Sequence, residues 1–157
     1  LFHPLSLIIP FIVLLPNLIF IGTNKNNASV GSEIKVNPIL SALEGIGRIC
    51  VLVFPVFSSI SVKNLYEITA LIGMLLLVGI YYYGWIRYFT HNNEYKLLFS
   101  PIIGIPVPMA ISPVVYFSLA SIALHSPYLF AGSVVMAAGH VPISLNIYYQ
   151  ICNANKR

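Results

Sequence analysis

Ile68–Phe89 reads ITALIGMLLLVGIYYYGWIRYF, a run in which Arg87, near its end, is the only charged residue. A helix needs about 20 apolar residues to cross the hydrocarbon core of a bilayer, so this stretch is long enough by itself. The rest of the chain has the same character. Of 157 residues, 58% are apolar and only 8% are Asp, Glu, Lys or Arg, against roughly 25% charge in a soluble domain. Eight basic and four acidic side chains do not wet the surface of a soluble globule. The composition excludes a soluble, disordered or coiled-coil protein. It predicts an all-α, polytopic transmembrane helical bundle forming a single integral membrane domain over 1–157.

Working outward, five apolar segments are expected: Leu5–Gly22, Ile39–Ile60, Ile68–Phe89, Leu97–Leu124 and Tyr128–Ile151. The first has no basic region before it, is interrupted by Pro10 and Pro16, and is followed by no small-x-small cleavage site. It is read as a retained helix rather than a signal peptide. Five crossings put the first and third loops on the same side as the C-terminus. That side holds Lys25, Lys35, Arg87, Lys96, Lys156 and Arg157, with Arg48 close to the same face, and the other side has Lys63 alone. In short loops such a bias marks the cytoplasmic face. The expectation is a multi-pass protein of the cell membrane, N-terminus outside and C-terminus cytoplasmic. The net charge of +4 then reflects topology. It forms no basic cluster able to release phosphate counterions, so no nucleic-acid partner is expected. Tyr81, Tyr82, Tyr83, Trp85, Tyr88 and Phe89, with Tyr148 and Tyr149, gather at the inner end of two segments, as an aromatic belt at the headgroup level would; the alternative is that the tyrosines line a protein interface.

The fourth segment is irregular. Pro101, Pro106, Pro108 and Pro113 fall within one apolar run, and each interior proline deletes a helical hydrogen bond and disfavours helix in the residue before it. An irregular or re-entrant entry is expected over Leu98–Val107, with regular helix from Pro108 to Leu124, bent by Pro113. Such an entry is either an elbow between two helices or a break that opens backbone carbonyls to a site.

Buried polar residues supply the candidate site. Glu44 and Arg48 are four apart with the acid first, which places them on one helix face in the favourable order. They form either an interfacial ion pair or a pair that contacts a substrate or ion in a cavity facing the cytoplasm. His140 lies midway along the fifth segment, where an ionisable side chain is a functional candidate. Ser144 follows one turn later on the same face, and Asn146 continues toward the cytoplasm. Gly132, Ser133, Ala137 and Gly139 make this segment the expected central packing element. Cys50 and Cys152 have no metal-type spacing and are expected as free thiols. Asn27-Ala28-Ser29 matches a glycosylation acceptor on a loop expected to be cytoplasmic.

No Asp occurs, the acids are Glu33, Glu44, Glu67 and Glu94, and no hydrolase, zinc-protease or nucleotide-binding motif is present. No catalytic residue, metal or cofactor is therefore assigned. The expected function is that of a small accessory or transport-related membrane component without autonomous catalysis. Its expected partners are membrane lipids, with a homodimer or a partner membrane subunit. Two alternatives stand beside it: an embedded enzyme acting on a lipid or isoprenoid, with Arg48 holding a headgroup and His140 as base, and a dimeric solute or ion carrier.

Overall fold

A computed structural model describes residues 3–23, 36–91, 93–102 and 104–154. Its five helices are α1 (Ile8–Thr23), α2 (Pro38–Val53), α3 (Leu65–Thr90), α4 (Pro108–Ala123) and α5 (Pro127–Ala154). Short 3-10 turns extend α1 at Pro4–Leu7 and α2 at Phe54–Phe57. The helix starts follow from the sequence. Pro38, Pro108 and Pro127 occupy the first positions of their helices, where the missing N–H is not needed. Asn37 caps α2, its side-chain oxygen accepting from the Ile39 N–H at 2.9 Å.

Among the described residues, four helical stretches are long and apolar enough to cross a membrane: Pro4–Thr23, Pro38–Phe57, Leu65–Thr90 and Pro127–Cys152. The fold is the expected all-helical, membrane-embedded bundle. The exception is α4, whose 16 residues make about 24 Å at 1.5 Å per residue. Its entry is irregular as expected. A tight turn joins Ile102 and Ile105 by paired backbone hydrogen bonds of 3.3 and 3.0 Å. Gly104 takes φ +76° in that turn. Val107, buried, takes φ 42° immediately before Pro108, a conformation that a β-branched residue adopts only when its surroundings hold it there.

Side-chain pairings fix the helix directions. α1 and α3 run the same way: Tyr81 and Tyr82 meet the carbonyls of Val13 and Ile12, and further along Phe20 meets Trp85 and Tyr88. α2 and α5 run oppositely, with Gly139 against Glu44, Gly47 against Met136 and Gly132 against Cys50. α3 and α4 also run oppositely, through Gly84 against Met109 and Gly73 against Leu119. The N-terminus, second loop and fourth loop therefore share one end. There the His3 N–H donates to Val56 O (2.8 Å), the Ser61 N–H to Ala123 O (3.2 Å) and Ser6 Oγ to Ser58 O (2.6 Å). Lys25, Lys35, Lys156, Arg157 and the Asn27-Ala28-Ser29 acceptor lie outside the described residues.

Two expectations are corrected by the packing. The helix most surrounded by protein is α4, not α5: ten of its 16 residues are buried, whereas α5 buries one stripe including Leu129, Ser133, Met136 and Ser144. Gly132 and Gly139 of α5 serve its close approach to α2, Ser133 meets Ser118 of α4 at 2.9 Å, and none of them places α5 at the centre. The aromatic group on α3 is also not a simple interfacial belt. Tyr81, Trp85 and Tyr88 are buried in the core while Tyr83 is exposed, because consecutive residues on a helix point in different directions.

Tyr82 has a specific role. Pro16 lies inside α1 and has no N–H to give the Ile12 carbonyl. The Tyr82 hydroxyl donates to that carbonyl at 2.8 Å, satisfying a group that hydrocarbon would leave unpaired.

Candidate functional site

The close approach of α2 and α5 builds the site. A Cβ at Gly139 would collide with the backbone of Glu44 and Leu40, and one at Gly47 with the backbone of Met136. Only glycine permits this distance. It brings residues 96 apart in sequence together: the His140 Nδ1–H donates to Glu44 Oε1 at 2.7 Å. The same carboxylate oxygen accepts from Arg48 Nη2 at 2.5 Å. Glu44 is the most enclosed of the three, its side chain 16% exposed against 58% for Arg48. The bond through Nδ1 fixes the imidazole and leaves Nε2 as the nitrogen for any further partner.

Arg48, His140 and Ser144 line one cavity of about 470 Å³ enclosed by residues of all five helices and the third loop. Its other walls are mostly apolar, among them Val13, Leu52, Phe99 and Phe117. Glu44 does not line it; the carboxylate stands behind the two basic groups. Four of the five expected site residues are thus brought to one place, Glu44 supporting and Arg48, His140 and Ser144 lining. Asn146 is not among the lining residues. It is exposed and accepts from Gln150 Nε2 at 3.0 Å, since two residues along a helix turn it well away from Ser144.

The opposite wall carries polar groups that the sequence reading passed over. Asn17 Nδ2 donates to the Val13 carbonyl (3.0 Å) and to the Tyr81 hydroxyl (2.7 Å), and all three residues line the cavity with Trp85. An asparagine inside the first apolar run was the available signal, because a membrane helix retains such a residue when it has a partner. Trp85 Nε1 is buried and, among the described residues, meets no acceptor at hydrogen-bond geometry; the Tyr81 hydroxyl lies beside it. Tyr95 of the third loop also lines the cavity, and burial holds its hydroxyl above the ordinary tyrosine range, so it remains protonated. Pro113 and Met109 are part of the wall. Since proline has no N–H, the Met109 carbonyl lacks its usual helical donor there.

A second polar cluster sits at the other end. Glu67, 1% exposed, accepts from His125 Nε2 at 2.9 Å. It also accepts from the Asn64 N–H at 2.8 Å, Asn64 Nδ2 at 3.1 Å and the Lys63 N–H. It closes the start of α3 and ties the second loop to the fourth. His125 sits at φ 50°, just past the end of α4, where a left-handed residue commonly ends a helix. The Asn64-to-Glu67 spacing of a capping box was the available signal for this cluster and was passed over, while no local signal pointed to its histidine partner.

Cys50 and Cys152 are free. Among the described residues no group of three or more His, Cys, Asp or Glu side chains is placed to hold a metal ion. No protein-family model, curated protein or solved structure matches the chain.

Proposed function

We propose that the protein is a transport-related membrane component, without catalysis of its own, that takes an amphiphile of the lipid or isoprenoid class into the cavity between its helices. The observation that carries this reading is that Arg48, His140 and Ser144, from two helices, open onto one cavity whose remaining walls are mostly apolar. Pockets of this size and lining enclose small ligands with a few oriented polar contacts. The third loop forms part of the wall, and the distribution of basic residues along the sequence supports a cytoplasmic C-terminal end.

The test is reconstitution of the full chain in phosphatidylcholine nanodiscs after extraction from the expressing membrane, with mass spectrometry of what co-purifies. Wild type should carry an amphiphile. Arg48→Leu should lose it while giving the same yield of folded, monodisperse protein. Absence of any amphiphile from wild type, or loss of folded protein in step with loss of ligand, rejects the proposal.

One observation favours an embedded enzyme as the second reading. The Glu44 bond to Nδ1 orients His140 as a proton-transfer group would be oriented. An amphiphile chemically altered on wild type and unaltered on His140→Gln would establish it. A dimeric, ion-coupled carrier would draw on Glu44, which is already engaged by Arg48 and His140.

A further inference from the structure

Building on the amphiphile reading, we infer that the ligand is a single-chain amphiphile with an oxyanion head, a carboxylate or a phosphate monoester, held at Arg48 and His140. Charge selects the head. Among the described residues that line the cavity, Arg48 and His140 can carry positive charge and none is a carboxylate. Glu44, one layer behind, takes a single bond from one Arg48 nitrogen and leaves the remaining guanidinium N–H groups to donate elsewhere. Arg48 is also the most exposed member of the cluster, so binding there requires no burial of an unpaired cation. A neutral head would leave those donors unanswered, and a cationic head would meet like charge.

Size selects the tail. A volume of about 470 Å³ holds about fifteen groups of water or methylene size at about 30 Å³ each. That matches one chain of fourteen to sixteen non-hydrogen atoms at roughly the same packing, so the second chain of a two-chain lipid would lie outside the cavity. Ser144 beside His140 and the protonated Tyr95 hydroxyl add neutral donors to the polar lining.

The chain contains one tryptophan, Trp85, and it is in the cavity wall, so its emission reports occupancy directly. The full chain in phosphatidylcholine nanodiscs is titrated with tetradecanoate, tetradecyl phosphate, tetradecanol, tetradecyltrimethylammonium and dioleoylphosphatidate. In parallel, equilibrium dialysis with radiolabelled tetradecanoate measures binding independently of fluorescence. One of the two single-chain oxyanions should bind saturably and at least about tenfold more tightly than tetradecanol, and the tighter of them identifies the head as carboxylate or phosphate. Arg48→Leu should erase that preference, bringing both oxyanions to the affinity of tetradecanol. Equal binding of alcohol or cation, or tighter binding of phosphatidate, overturns the oxyanion or single-chain inference and leaves the amphiphile reading standing. Absence of binding by every amphiphile in the titration, with no binding of tetradecanoate in dialysis, overturns the two together.

Discussion

Tyr82 shows at the scale of one residue how a membrane chain tolerates its prolines. Its hydroxyl donates to the Ile12 carbonyl that Pro16 leaves without a helical partner. Tyr82→Phe should therefore lower stability by about 1 kcal/mol, the usual worth of an interhelical hydrogen bond in a membrane, as read by unfolding in mixed micelles. Tyr83→Phe, on an exposed neighbour, should not. Glu67 makes a harsher case, since its removal leaves the Lys63 and Asn64 N–H groups and His125 without their acceptor at once. Glu67→Ala should depress the melting temperature further than His125→Ala, whose side chain is 46% exposed and can turn to water. Reversal of that order would mean that the histidine, not the capped helix start, holds the two loops together. The Glu44–Arg48 pair was legible because helical spacing alone places the two side chains together. His140 was a candidate in its own right, but its place beside the pair was hidden, because no local rule connects residue 44 with residue 140.

For helix pairs, small residues decide which side chains can meet. A methyl group at Gly139 would strike the α2 backbone, whereas Gly79 has nothing near the position a Cβ would take. Gly139→Ala should cost about 1–3 kcal/mol, the range for overpacking, and should weaken ligand binding by drawing His140 away from Glu44. Gly79→Ala should shift stability by no more than about 1 kcal/mol, toward greater stability. Thermal unfolding and nanodisc titration of both variants check the pair. Much of this level could be read in advance: the proline cluster placed the start of α4 at Pro108, where it is found. The rank of the helices in the core was not legible, because glycine and serine on α5 signal close approach without saying to which neighbour. The glycines meet α2, Ser133 meets Ser118 of α4, and the centre belongs to α4.

The whole molecule has one end carrying the N-terminus with the second and fourth loops, and another beside which the cavity opens. The proposed orientation rests on the distribution of basic residues along the sequence, not on any contact. With Cys50 and Cys152 replaced by alanine, a cysteine at position 87 should react with a membrane-impermeant reagent only in inside-out vesicles. A cysteine at position 63 should react only in intact cells. The opposite pattern would invert the assignment without disturbing the bundle. A cavity at Arg48 was one of the two readings of the pair, but its walls could not be foreseen, because it is the space left where five helices fail to fill one another's surfaces, and no segment carries that information alone.

The shortness of α4 has a consequence for how the protein meets its solvent. Four helices must match the thickness of the surrounding lipid, and they adjust to a thinner or thicker leaflet by tilting. α4 is walled in by its neighbours with only Val115 and Ile122 substantially uncovered, so its length answers to protein and not to acyl chains. It supplies a stretch of the cavity wall through Met109, Pro113 and Phe117. That stretch is thereby shielded from hydrophobic mismatch, and the same chamber can be kept in membranes whose lipid composition differs.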